Sequence, residues 1–371
     1  RYRLWEPIRY DAGPAAVRAG EDALRNADRL NGAISCTMSM PMSQPPDTEI
    51  APLNDVLARL GISLLPGAPI VRLTGGVSCD IFRVETSEGP VCVKQALERL
   101  RVAADWQAPV ERSHAEVMWL RLAERLGRPR APHVIAESPD DHLFVMNFLP
   151  PDSHANWKSE LSAGRVDPAF AAMVGRDLAF IHARTAYSGE AARDFANGAM
   201  FHALRIEPYL LHTATRHPDL AARLHALAQE TLETEIALVH GDVSPKNILV
   251  GPDGPVFLDA ECAWFGDPGF DIAFCLTHLL LKAVWRPANR AAYFDSFEAL
   301  QEAYFGGVTW EPRAALDVRA GALLAALLLA RIDGKSPVEY LTEDADKALV
   351  RRLARPLLAA EAVGVAEIGW A

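Results

Sequence analysis

The stretch His240-Gly-Asp242-Val-Ser-Pro-Lys246-Asn247 sets an aspartate and an asparagine five residues apart, just ahead of the strand-like run Ile248-Leu-Val. Those residue types at that spacing suit transfer of a phosphoryl group to a hydroxyl. Such a reaction needs a carboxylate that orients the hydroxyl and takes its proton. It also needs oxygen ligands for Mg²⁺, a hard cation that takes few protein ligands and fills its shell with phosphates and water. Asp242 suits the first role and Asn247 the second. Lys246, next to Asn247, is placed to stabilise the phosphoryl group in transit. Twelve residues beyond Asn247 stands Asp259, at the end of Val256-Phe-Leu258 and after the turn Gly251-Pro-Asp-Gly254. A carboxylate leaving a tight hairpin can reach the same metal.

Taken singly, each of these aspartates reads as a solvated turn residue. With Asp271 they make three in a fixed order within thirty residues. The loop fits the kinase pattern H-x-D-x-x-x-x-N, with Gly241 where protein kinases carry arginine. Asp259 holds the place of the D-F-G aspartate, but the chain continues Ala-Glu261-Cys-Ala-Trp-Phe-Gly266-Asp-Pro-Gly-Phe-Asp271-Ile-Ala273. These segments resemble the aminoglycoside phosphotransferase and choline kinase superfamily of kinase-like small-molecule phosphotransferases. Its catalytic loop reads H-G-D-x-x-x-x-N, and its metal motif I-D-x-[ED] is followed by G-D-P-x-x-D-[IL]-A. The resemblance spans about 65 to 340 and is specific between 240 and 273. It implies an α+β, protein-kinase-like two-lobed fold, with a small antiparallel-sheet lobe and a larger, mainly helical lobe. It further implies transfer of the γ-phosphate of ATP, with Mg²⁺, to a hydroxyl-bearing small molecule, and a role for Asp271 in holding the catalytic loop by hydrogen bonds.

The first half supplies the remaining parts. Gly75 and Gly76 sit in a turn between strand-like runs, where glycine lets the backbone approach phosphates closely, and Ser78 can donate a hydrogen bond to them. The family often has asparagine where Cys79 stands. Lys94, eighteen residues after Gly76 on Val91-Cys-Val-Lys94, suits the ATP phosphates, although a lone strand lysine is ordinarily a solvated edge residue. Glu116 and Glu111 are both candidate partners for it. By resemblance, the backbone of Asn147 and Leu149 hydrogen-bonds adenine, and the acceptor site lies in the helical lobe. Two segments are candidates there, Asn156-Trp-Lys158 and Arg331 to Tyr340. The second reads equally well as a helix C-terminus, where Gly334 and basic residues are expected. The tail Glu261-x-Ala263-x-Phe265-Gly266 is similar to that of methylthioribose kinases, whose catalytic loop differs at the position of Asn247. The alternatives to a phosphotransferase of the first kind are a methylthioribose-kinase-like sugar kinase and a catalytically silent nucleotide-binding module. Gly241 and the missing D-F-G and A-P-E motifs speak against a protein kinase.

These residues need a scaffold, and the hydrophobic pattern outlines one. A short helix at Leu53–Leu60 precedes strand-like runs at Val71–Leu73, Ile81–Thr86 and Val91–Lys94, then a helix over Ser113–Leu126, then strands at His133–Ile135 and Leu143–Met146. After Leu149-Pro-Pro the pattern turns helical, over about 168–184, 199–233, 269–283, 290–305 and 313–332, interrupted once by the hairpin that carries Asp259. The pattern divides the chain into a nucleotide-binding unit at 48–149 and a helical unit with catalytic loop and acceptor site at 150–371. Residues 1–47 read as an extension outside the fold, disordered or lying upstream of a start at Met38, Met40 or Met42.

Bulk properties narrow the partners. The 371 residues carry a formal net charge of −11 and a pI of about 5.5, a balance that repels nucleic acid phosphates and anionic lipid surfaces. The longest apolar run, Ala320–Ala330, is a buried core helix, since a bilayer needs about 20 such residues. The five cysteines form no C-x-x-C pair, which fits reduced thiols and a cytoplasmic protein. No dense acidic surface of the kind a polycationic aminoglycoside needs stands out in the linear sequence.

Overall fold

The computed structural model describes residues 47–73, 78–97, 109–360 and 362–368. The expected extension, apart from Asp47, and the glycines Gly75 and Gly76 lie outside the described residues.

Five antiparallel strands build the first sheet: β1 (Val71–Leu73), β2 (Cys79–Thr86), β3 (Gly89–Ala96), β4 (Val134–Ser138) and β5 (Leu143–Asn147), in the order β1-β2-β3-β5-β4. Side chains alternate across a strand, and here the alternation sorts structure from chemistry. Phe82 and Val84 on β2, Val91 and Val93 on β3, and Leu143 and Val145 on β5 share one apolar face. Helix α1 (Asp47–Arg59) covers that face with Leu53, Val56 and Leu57, a helical i, i+3, i+4 set. Lys94 therefore falls on the opposite face, paired in register with Ile81 and Phe144. That face is covered by α2 (Arg112–Leu126), whose Val117, Trp119, Leu120 and Ala123 are buried. Glu116 is buried on the same helix.

After β5 come β6 (Ala155–Asn156), α3 (Trp157–Ser162) and α4 (Pro168–Thr185). The sequence predicts one helix over 199–233, and the structure differs. A short helix at Gly198–Phe201 passes into a π-helix at His202–Leu211 and a turn of α-helix at His212–Arg216, before α5 (Ala221–Glu233). Pro208 lies inside the π-helix. It lacks an N–H and its ring blocks ordinary α-winding, and the coil widens so that His212 N–H reaches Glu207 O five residues back.

Next follow β7 (Ala237–Val239), β8 (Ile248–Gly251), β9 (Gly254–Phe257) and β10 (Trp264–Gly266). The expectation of a single strand interruption is thus corrected. β7 pairs with β10, and β6 joins the β8–β9 hairpin. These added strands have two or three residues, too few to display an alternation, and their partners are distant in sequence. Helices α6 (Pro268–Trp285), α7 (Arg290–Gly306), α8 (Arg313–Asp333) and α9 (Asp344–Ala359) complete the larger, mainly helical lobe. Its helices approach closely where small residues allow. A Cβ added at Gly175 on α4 would stand 2.3 Å from the Leu300 carbonyl oxygen of α7. Among the described residues, no helix is long and apolar enough to cross a membrane.

Candidate active site

The catalytic loop hangs between β7 and β8, and Asp271 in the first turn of α6 fixes its start. Asp271 is fully buried and accepts hydrogen bonds from the backbone N–H of His240 at 2.7 Å and of Gly241 at 2.8 Å. Gly241 has φ +77°, and a Cβ there would lie 2.6 Å from the Cys262 carbonyl oxygen. Neither arginine nor any other side chain fits, which gives the glycine in this position a steric cause. The buried His240 ring donates from Nε2 to Leu258 O at 3.0 Å and accepts the Asp242 N–H on Nδ1 at 3.2 Å. Burial lowers its pKa, so the ring is neutral. It ties the loop to the chain that leads into Asp259.

Asp242 is 2% exposed. Its carboxylate accepts from Asn247 Nδ2 at 2.7 Å, and that Nδ2 also reaches the Asp242 carbonyl at 3.0 Å. Two cations stand beside Asp242 Oδ2, Lys246 Nζ at 3.0 Å and Arg205 at 3.1 Å. Burial alone would raise this carboxyl, but Arg205 and Lys246 outweigh it and hold the pKa below the usual carboxylate value. Asp242 is thus a buried carboxylate kept ionised. Arg205 comes from the π-helix and also donates to Gly241 O at 2.5 Å and Leu204 O at 2.7 Å. The sequence reading missed it. The available signal was an arginine three residues ahead of a proline within a largely apolar helical run.

On the sheet side, the Lys94 ammonium is buried between two carboxylates. It bonds Glu116 Oε2 at 2.6 Å and also Asp259 Oδ1. Glu111 is exposed at the start of α2, so Glu116 is the carboxylate in contact with Lys94. Burial pushes the Glu116 carboxyl up to about 7, against the pull of Lys94. Asp259 is held well below the ordinary range, because Lys94 and Lys246 outweigh its burial. It has φ +65°, a left-handed backbone that costs a non-glycine residue about 1–3 kcal/mol and is retained where the surroundings over-determine it. Here those surroundings include the Leu258 N–H to Asn247 O bond at 2.9 Å, immediately upstream.

The donor set fits Mg²⁺. The amide nitrogen of Asn247 is used on Asp242, which leaves its side-chain oxygen as an acceptor, and Asp259 offers the carboxylate oxygen not taken by Lys94. One amide and one carboxylate oxygen are what an ion completed by phosphates and water requires. Among the described residues no group of three or more His, Cys, Asp or Glu could hold a metal by itself.

The other sequence candidates are more scattered. The Ser78 carbonyl is held by Arg112 at 2.6 Å, and its hydroxyl lies 3.6 Å from Cys79 Sγ. Cys79 reaches Glu261, which also accepts from Arg112 Nε at 3.2 Å. Asn147 closes β5 and bonds His133 through both its side-chain oxygen and its backbone N–H, and half-buried Leu149 follows in the connection to the helical lobe. The two candidate acceptor segments meet. Lys158 pairs with Glu339, Asn156 donates to Lys246 O at 2.7 Å, and Lys158, Arg331 and Glu339 line one pocket with Ser244 and Lys246 of the catalytic loop. Gly334 closes α8 through its N–H to Ala330 O at 2.8 Å, so that segment both ends a helix and lines a cleft.

A family model described as "Phosphotransferase enzyme family" matches residues 69–316. Among curated proteins, the chain is 26% identical over 241 residues to a methylthioribose kinase of Enterobacter sp. (strain 638), covering 56% of this chain and 59% of that one. It is likewise 26% identical to methylthioribose kinase 1 of Oryza sativa subsp. japonica, over 60% and 58% of the two chains. The match thus spans less than two thirds of the length of these relatives. Among solved structures, an amicoumacin kinase in complex with AMP-PNP and Ca²⁺ superposes with a TM-score of 0.52 at 14% identity, over 84% of this chain and 93% of that one. A Plasmodium vivax ethanolamine kinase does so with a TM-score of 0.52 at 11% identity, over 96% and 95%. These likenesses establish the two-lobed kinase-like fold.

Proposed function

The chain belongs to the phosphotransferase enzyme family, and on that premise we propose that it is an ATP- and Mg²⁺-dependent kinase that moves the γ-phosphoryl group of ATP to a hydroxyl of a small molecule. The observation that carries this reading is Asp242, a buried carboxylate kept ionised beside an asparagine and two cations. In the proposed reaction Asp242 accepts the hydroxyl proton as the acceptor oxygen bonds to the γ-phosphorus and the bond to the ADP oxygen breaks. Lys246 stabilises the charge on the phosphoryl group. Lys94, positioned by Glu116, steadies the phosphates of ATP, and Gly75, Gly76 and Ser78 serve the same phosphates. The backbone of Asn147 and Leu149 receives adenine. Asn247 and Asp259 would hold Mg²⁺, which when bound neutralises charge on the phosphates. The rest of the rate enhancement comes from orientation. We place the enzyme in the cytoplasm, in keeping with buried, unpaired Cys79, Cys92, Cys262 and Cys275.

The test is ADP release with Mg·ATP across hydroxyl-bearing acceptors. Asp242→Asn should lower turnover by roughly 10²–10⁴-fold and leave the Mg·ATP thermal shift in place. Undiminished turnover in that variant refutes the role.

A second reading is favoured by the name of the curated relatives: a methylthioribose kinase. It requires methylthioribose, an uncharged thiosugar, to be a far better acceptor than charged compounds of similar size.

A further inference from the structure

The pocket beside the catalytic loop holds more positive charge than its own carboxylates balance. Two of its cations are matched, Lys158 by Glu339 and Lys246 by Asp242. Two are not. Lys282, on the last turn of α6, is 1% exposed. Its ammonium meets the faces of Tyr340 at 4.5 Å and Trp285 at 5.3 Å and the Ser162 hydroxyl at 3.4 Å, with no carboxylate. Arg331 is 9% exposed and donates only to oxygens of Ser336 and to the Tyr209 hydroxyl. A buried cation without a counter-charge is expensive, and a protein retains one where something else supplies the charge.

An independent observation points into the same space. Four buried polar atoms of the pocket have no hydrogen-bond partner: Ser244 Oγ, His278 Nε2, Arg331 Nε and Tyr340 Oη. They come from the catalytic loop, α6, α8 and the segment after it, four parts of the chain that converge on one pocket. The helix geometry explains the convergence. Asp271, His278 and Lys282 are spaced by seven and four residues and share one face of α6. The face that fixes the catalytic loop at one end presents the free histidine and lysine at the other.

We propose that the acceptor is an anion, a small hydroxylated carboxylate or phosphomonoester whose charge is met by Lys282 and Arg331 while its hydroxyl turns to Asp242. The proposal rests on the kinase reading for the hydroxyl and on the pocket alone for the charge. A polyamine or a quaternary amine would add positive charge to a surplus. An uncharged sugar would leave both cations as they are.

The experiment is a thermal-shift titration of the full chain with Mg·AMP-PNP. The probes are D-glycerate, D-gluconate, D-ribose 5-phosphate and inorganic phosphate, set against glycerol, methylthioribose and choline. At least one anion should raise Tm by about 2–4 °C or more, with its uncharged and cationic counterparts inert. Glycerate against ribose 5-phosphate separates carboxylate from phosphate. Lys282→Met and Arg331→Met should each weaken that anion by about tenfold or more. Lys282→Met should also raise the Tm of the free protein, which distinguishes it from a misfolded variant. Equal shifts from uncharged or cationic probes, no shift from any anion, or full anion shifts in both variants would overturn the proposal. Failure of the kinase reading is seen separately, as absence of the Mg·AMP-PNP shift or as ADP release that survives Asp242→Asn.

Discussion

Arg205 and Lys246 decide the protonation state of Asp242, because burial alone would push the carboxyl the other way. Removing Arg205 lets the pKa of Asp242 rise. A base must be unprotonated to work, so Arg205→Met should move the acid limb of the kcat–pH profile to higher pH. Turnover on that limb should fall about tenfold for each unit that the carboxyl rises above the assay pH, with the KM for ATP little changed. Arg205→Lys should restore part of the loss. A uniform drop at all pH values would instead mark Arg205 as a packing residue. The aspartates and Asn247 were legible in the sequence because their chemistry demands fixed residue types at fixed spacing. Arg205 was not, since its guanidinium reaches Asp242 across 37 residues of sequence, from a π-helix that contains Pro208. Gly241 was read as a departure from arginine, and its left-handed backbone against Cys262 supplies the reason.

Among the elements, α6 links catalysis to the pocket. Its start is built by Asp267, which caps the helix through the Gly269 N–H at 2.8 Å and pairs with Arg319 at 3.1 Å. Its end carries Lys282, whose pKa burial and the neighbouring Lys158 push down to about 8, with Arg286 adding to the push and Glu339 opposing it. Below pH 8 the lysine is charged both folded and unfolded, and the folded state carries the full cost. Between about 8 and 10.5 the folded state has released the proton while the unfolded chain keeps it, so the folded state gains as pH rises. The stability advantage of Lys282→Met over wild type should therefore narrow by about 3 kcal/mol across that window. Denaturant titrations at pH 7.5 and 10.5 measure it, and a pH-independent difference would mean that the lysine titrates alike in the folded and unfolded chain, its charge already balanced in the pocket. The α4–α7 contact makes a simpler prediction. Gly175→Leu should cost about 1–3 kcal/mol by overpacking against the Leu300 carbonyl, read as a lower Tm. Helices as long as α4, α6, α7 and α8 were legible because their apolar period repeats over several turns. β6, β7 and β10 were not, because strands of two or three residues carry no period and are specified by distant partners.

On the scale of the whole molecule, the sign of the net charge misleads about the site. A formal charge of −11 invites a cationic substrate, yet the pocket that abuts Asp242 gathers Lys158, Lys246, Lys282 and Arg331 around a single glutamate. The two candidate acceptor segments were visible as polar clusters, but their meeting around Lys246 depends on how α3, α6 and α8 pack and is not written in either segment alone. The most direct measurement is ADP release with Mg·ATP and the best-binding anion, run in parallel with Asp242→Asn and with product mass. The expected result is a product heavier by one phosphoryl group, formed by the wild type and reduced by roughly 10²–10⁴-fold in the variant. Tight Mg·ATP binding with no phosphorylated product from any acceptor, or product formed equally by Asp242→Asn, would contradict it.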